Sequence, residues 1–360
     1  MSLLYKDDWD AAKERYTAWW AHENTGRCGL WVTAPRDDAA DVPEPPRPPT
    51  PEQVWHDLDY RSALGEYRNR RTFFGGEAFP VWDYGYPGNK CIAAFLGCPL
   101  TLDNHTGWLD PILTAENIEY ESLRLDESNP RWQFALEWLR RAARESPGNC
   151  IPAVGAFGGC GDNLAALRGS DRLLYDVADR PDQVRAAELH LMDIWCRVYD
   201  TFYDIARQAA QGSTCWFGLW APGKFYAAEN DFSYMISPRM FRDLFLPAID
   251  IQTRFLDYSV YHVDGIAAFA HVDALLELPQ LQAIQILPGT GKPSPLHFLD
   301  VLKKVQTAGR NLHISIPPDE VEDALSELSA RGLFIGTSCG TEAQARDLLR
   351  NAERWSHDRG

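Results

Sequence analysis

Positive charge is scarce in this chain: 35 lysines and arginines stand against 51 aspartates and glutamates, a formal net charge of −16. Such a surface repels phosphate backbones and anionic headgroups, which argues against general nucleic-acid binding or a membrane-surface role and leaves room only for a local basic pocket. No apolar run approaches the roughly 18 to 20 residues needed to span a bilayer. The start carries no apolar leader, so a cytoplasmic protein is expected. The eight cysteines (Cys28, Cys91, Cys98, Cys150, Cys160, Cys196, Cys215 and Cys339) include no C-x-x-C pair, and they read as reduced thiols. No G-x-G-x-x-G follows an expected strand. The glycine cluster from Gly155 to Gly161 lacks a G-K-[ST] ending, so no nucleotide cofactor is expected.

What is present is length and a repeating pattern. With 360 residues, 45% of them hydrophobic, the chain can form one large domain spanning 1–360. Apolar or β-branched runs bounded by turn residues recur at 28–34, 91–96, 151–156, 214–219, 259–263, 282–287, 312–316 and 333–337. Helical patterns lie between most of them, over 130–145, 181–210, 238–256, 268–276, 295–308, 320–330 and 341–355. Strand and helix alternating eight times predict a (β/α)8 TIM-type barrel. An amphipathic helix over 7–24, carrying Trp9, Tyr16, Trp19 and Trp20, is expected to pack outside it. The N-terminal half has long loops, including a Pro-rich stretch at 35–51 and segments at 73–89 and 103–113. A barrel builds its substrate walls from such loops.

Barrel chemistry gathers at the carboxyl ends of the strands, so the residues there are the candidates. His262 and Asp264 alternate along one strand, and both can point into the mouth as proton donor, proton acceptor or ligand. Cys339 ends the last strand; imidazole, carboxylate and thiolate are all acceptable zinc ligands. The plain alternative is a hydrogen-bonded core histidine and a small buried thiol. Segment 214–237 supplies Trp216, Trp220, Lys224, Tyr226 and Glu229, either an aromatic substrate wall or core packing. Glu229 and Asp231 also suit a helix start near Pro238. Arg36, Phe157, Trp82 and Asp83 complete the substrate-binding candidates. Asp162 and Asn163 are expected chiefly to cap the next helix.

The runs ISPRMFRDLFLPAI, YHVDG and HVDALLELPQLQAIQ within 231–285, with CGLWV, GAFGG to LYDVADRPDQV, and GTSCGTEAQARDLL, resemble the uroporphyrinogen decarboxylase superfamily over most of the chain. The resemblance implies a distorted (β/α)8 barrel, favours a homodimer, and points to one of two chemistries. One is cofactor-free decarboxylation of porphyrinogens; the other is zinc-dependent methyl transfer with a corrinoid protein as partner. The decarboxylases resemble one another in an Arg-rich segment after the first strand, where this chain reads Val32-Thr33-Ala34-Pro35-Arg36. One arginine cannot grip a many-carboxylate tetrapyrrole. The methyltransferases have His-x-Cys and a later Cys around zinc. Here His262-x-Asp264 and Cys339 match two of those positions, with Glu229 the nearest fourth ligand. Exchanging thiolate for carboxylate makes the site harder.

Three readings follow. The first is a methyltransferase-like enzyme acting on a small organic substrate with zinc at His262, Asp264, Cys339 and Glu229. The second is a metal-free decarboxylase or lyase using Arg36 or Lys224 to bind a small carboxylic acid. The third is a ligand-binding barrel without catalysis.

Overall fold

The computed structural model describes residues 3–359 apart from 24, 40–41, 84–90 and 211, so the end of the aromatic stretch 79–85 and of the long loop 73–89 lies outside the described residues. Among the described residues thirteen strands occur: β1 Gly29–Pro35, β2 Thr72–Gly76, β3 Val81–Trp82, β4 Leu100–Leu102, β5 Gly107–Leu109, β6 Ile151–Pro152, β7 Ser213–Thr214, β8 Trp220–Ala221, β9 Phe225–Glu229, β10 Tyr258–Asp264, β11 Ala283–Leu287, β12 Asn311–Ser315 and β13 Leu333–Ser338.

Seven of these form one sheet in the order β2-β1-β13-β12-β11-β10-β9. Only β2 runs antiparallel, along β1; every other pairing is parallel. Strands β3 and β6 pair in parallel, and beyond β6 the Val154 N–H donates to the Thr214 carbonyl at 2.9 Å. This mixed α/β arrangement is compatible with a TIM-like fold. Parallel strands covered on both faces read as continuous apolar runs, which is why Ala-Ile-Gln-Ile-Leu and Leu-Phe-Ile form β11 and the start of β13.

The C-terminal elements fall where expected, within a few residues. The helix Pro130–Glu145 begins where the pattern places it, because Asn129 accepts from the Arg131 N–H at 2.8 Å and Pro130 occupies the first turn. The expected helix over 238–256 contains a π-turn at Phe241–Phe245, next to Pro247, which has no N–H to give the preceding turn.

Earlier segments differ from expectation. Residues Cys91–Phe95 form a fully buried helical turn instead of a strand; Ala93 and Ala94 favour helix, and burial on all sides erases the periodicity that separates the two. The expected strand over 214–219 dissolves because Gly218 sits at φ 76°, and the long strand of that region is β9, after Pro222 and Gly223. Strand β2 lies inside an expected loop.

The first helix, Trp9–Trp20, does not pack outside. It covers the amino-terminal ends of the parallel strands. Trp20 lies against Phe225 and Tyr258 at 5.4 and 5.2 Å, and Tyr16 and Trp19 against Phe334 at 5.4 and 5.2 Å. The Trp19 Nε1 donates to the Gly332 carbonyl at 2.9 Å, and the Asn311 amide to the Trp19 carbonyl at 2.7 Å. Beside this helix the carboxylate of Glu77, fully buried, accepts from Arg27 at 2.8 and 2.9 Å, from the Leu30 N–H at 2.5 Å, and from Arg15. Among the described residues no helix is long and apolar enough to cross a membrane.

Candidate active site

One row of register partners crosses six strands: Gly29, Phe334, His313, Gln285, His262 and Glu229. Partners in a parallel register share a face of the sheet, so the polar members of this row collect on one side. The row fits closely at Gly29, where a Cβ would lie 2.4 Å from the Phe334 ring.

Above the row opens a cavity of about 580 Å³, within the range of small-molecule sites. Its walls include Trp31, Trp216 and Phe217, with His262, Gln285, His313, Ser315, Thr337 and Ser338 as polar groups and no lysine or arginine among the described lining residues. Trp216 meets the His262 ring edge-on at 5.2 Å, and Phe217 meets His313 at 4.9 Å.

His262 is 9% exposed and its Nδ1 bonds to the Gln285 Oε1. Since a carbonyl oxygen only accepts, Nδ1 donates in this bond, which leaves the other ring nitrogen, Nε2, outside it. That Nε2 is 4.0 Å from an oxygen of Asp264, whose other oxygen is buried without a hydrogen-bond partner. Asp231, first residue of the turn after β9, brings a third group: one ligand atom each from Asp231, His262 and Asp264 lie within 4.8 Å of one another. Gly265, at φ 90°, lets the chain turn sharply after Asp264 and leaves room for the Tyr234 ring, which a Cβ would approach to 2.6 Å. His313 is 6% exposed, and burial, helped by neighbouring His262, pushes its imidazole down to about 3. It is neutral at neutral pH.

The candidates named from sequence divide. His262 and Asp264 come together, and Trp216 lines the cavity. Cys339 is not in the converging group; its N–H donates to the Thr33 carbonyl at 2.8 Å, and burial raises its thiol. Glu229 is buried beside His262 in register but does not join the three. Trp82, Asp83 and Phe157 line a separate cavity of about 30 Å³. Tyr226 is core, stacked on Phe157 and accepting from the Phe157 N–H at 2.6 Å, and Trp220 packs against Trp9 at the opposite end of the strands.

Neither cation of the carboxylate-binding reading reaches the cavity. Arg36 pairs with Asp38 at 2.7 Å. Lys224 precedes β9 at its amino end, the length of the strand away from Glu229, and pairs with Asp200 at 2.7 Å.

Asp231, Gln285 and His313 are functional candidates that sequence reasoning missed or assigned elsewhere. A signal existed: each of β10, β11 and β12 carries an imidazole or amide between apolar neighbours near its middle, His262, Gln285 and His313. Aligned on their runs, these polar residues mark one layer.

No protein-family model matches the chain, and no curated protein matches it. Among solved structures, a methyltransferase from Methanosarcina mazei is similar with a TM-score of 0.62, over 95% of this chain and 98% of that one, at 13% sequence identity. At that identity the likeness shows a common fold.

Proposed function

We propose that the chain is a methyltransferase-like enzyme of the uroporphyrinogen decarboxylase superfamily, a TIM-like barrel that holds a divalent metal, zinc foremost, at Asp231, His262 and Asp264. The observation that carries this reading is the convergence of those three side chains within 4.8 Å beside a cavity of about 580 Å³. Support for the reaction class comes from the fold shared with the Methanosarcina methyltransferase.

The donor set fits a metal. A ligating histidine ordinarily has its other ring nitrogen held by an acceptor, as Gln285 holds His262 here. The buried Asp264 oxygen without a protein partner fits the same role. Asp231 replaces Cys339 and Glu229 in the ligand set expected from sequence. One imidazole and two carboxylates make a harder site than one built on thiolate, within the range zinc accepts. When bound, such an ion supplies a Lewis acid with positions left for substrate.

The chain's own residues do the rest. Gln285 fixes the tautomer of His262. Trp31, Trp216 and Phe217 offer flat apolar surface to an organic substrate and displace water from it. Neutral His313 adds no charge to the cavity floor. The methyl partner proposed for this enzyme is a corrinoid protein docking at the open end.

Metal analysis tests the reading. About one equivalent of a divalent ion is expected in the purified protein, and its loss in His262→Ala and Asp264→Ala. A protein that takes up no ion after dialysis against zinc, manganese or cobalt overturns the metal assignment.

A further inference from the structure

The glycine-rich segment Gly158-Gly159-Cys160-Gly161-Asp162-Asn163 is not accounted for by the cavity, and its neighbours explain it. Asp162 lies in the first turn of the helix Cys160–Arg168, yet it does not cap that helix, whose N-cap is Gly159 without a side-chain hydrogen bond. Instead its carboxylate reaches another segment. One oxygen accepts from the Asp231 N–H at 3.1 Å and the other from the Phe232 N–H at 3.0 Å. The side chain is 1% exposed, so these charge-assisted bonds are shielded from water.

The glycines make that reach possible. A Cβ on Gly159 would lie 1.7 Å from the Glu229 carbonyl oxygen, and one on Gly161 would lie 2.3 Å from the Asn230 side-chain oxygen. Backbone therefore lies directly on the two residues before Asp231, where no larger residue fits. The turn is itself braced: the Asn163 amide donates to the Phe157 and Gly159 carbonyls, both at 2.8 Å, and its oxygen accepts from the Ala93 N–H at 3.0 Å.

We propose that this turn and Asp162 form a positioning device that sets the Asp231 carboxylate at its place beside His262 and Asp264. The inference rests on the metal reading of that site. Strands β9 and β10 are joined by their ladder, but Asp231 lies beyond the end of β9, so the ladder alone does not hold it. Asp162 holds the backbone there through its two bonds to the Asp231 and Phe232 N–H groups.

The test is zinc affinity by competition with a chelator, and the d–d absorption of the cobalt-loaded protein, in wild type, Asp162→Asn, Asp231→Asn and the double variant. The same proteins without metal are followed by hydrogen exchange of the peptide covering 229–235. Asp162→Asn keeps the shape of the side chain while removing its charge and half of its accepting capacity. Expected are zinc binding weaker by about 10- to 100-fold, a shifted cobalt spectrum, faster exchange confined to 229–235, and no further loss of affinity when Asp162→Asn is added to Asp231→Asn. Exchange that rises throughout the protein, with losses that add in the double variant, identifies general destabilisation and overturns the positioning role. A wild type that binds while Asp162→Asn binds as tightly overturns this inference alone. A wild type that binds no divalent ion overturns the reading of the site and this inference with it.

Discussion

At the amino ends of the strands, Tyr16, Trp19 and Trp20 fill the available space, their polar atoms are bonded, and the buried carboxylate of Glu77 is matched by Arg27 and Arg15. At the carboxyl ends, Trp31, Trp216 and Phe217 stand around an open cavity, and a buried Asp264 oxygen has no hydrogen-bond partner. The same sheet thus has a filled end and an open one. The polar groups named at the filled end are bonded within the chain, whereas at the open end one buried carboxylate oxygen is left without a hydrogen bond.

Breaking the filled end should have the larger effect on stability. Glu77→Gln leaves Arg27 buried beside a neutral partner, and denaturant unfolding should report a loss of about 3–5 kcal/mol; a loss below 1 kcal/mol would place Glu77 among ordinary surface pairs. At the open end, His262→Ala should abolish tight metal binding with a smaller change in unfolding midpoint. Gln285→Ala should weaken metal binding by about 10- to 100-fold through the freed His262 ring. If both variants lost more stability than Glu77→Gln, the contrast between the ends would fail.

Acid separates the two ends by pH. Burial alone would raise the Glu77 carboxyl, but the Arg27 guanidinium and its hydrogen bonds leave it below the usual glutamate value. A depressed folded value means its stabilisation is present above the unfolded value of about 4.3 and is lost as pH falls through and below it. His313 is also depressed, to about 3 by burial and His262. The unfolded imidazole titrates near 6.5, so the unfolded chain binds more protons between those values, and stability declines as pH drops from about 6.5 towards 3. Unfolding midpoints should therefore slope downward already between pH 6.5 and 5, and His313→Gln should flatten that part while leaving the steeper fall below pH 4.3. The smallest effect is expected for Lys224→Ala, which removes a half-exposed pair with Asp200 at the filled end. It should cost at most about 1 kcal/mol and leave metal binding unchanged; altered metal affinity would show that Lys224 reaches the site.

Strand and helix order was readable over the C-terminal part because β10 to β13 and their helices keep regular apolar periods and carry turn residues between them. Before β9 it was readable at β1 and at the helices Pro130–Glu145 and Pro181–Ala206 but not for most of the strands. Two-residue strands such as β3 and β6 are too short for any period, and the fully buried turn Cys91–Phe95 has the same composition as a buried strand. The site was half legible. His262 and Asp264 are two apart on one strand, a relation the sequence displays. Asp231 joins them through the fold, where the parallel pairing of β9 with β10 brings the end of one strand near a residue more than thirty positions later. Cys339 follows the end of β13, which β11 and β12 separate from β10 in sheet order, a separation that spacing along the chain cannot express.

The filled end also governs the order in which the molecule can be completed. The bond from Trp19 to Gly332 joins residues 313 positions apart. The helix at Trp9–Trp20 emerges first during synthesis, yet the surface it covers is made by β9, β10, β12 and β13, which emerge last. Until then Trp19 and Trp20 lack their partners on those strands. Early exposure of such a face invites association between growing chains, and contacts of this span slow folding. The net charge of −16 then acquires a second use, keeping unfinished copies apart while the first helix waits for the last strand.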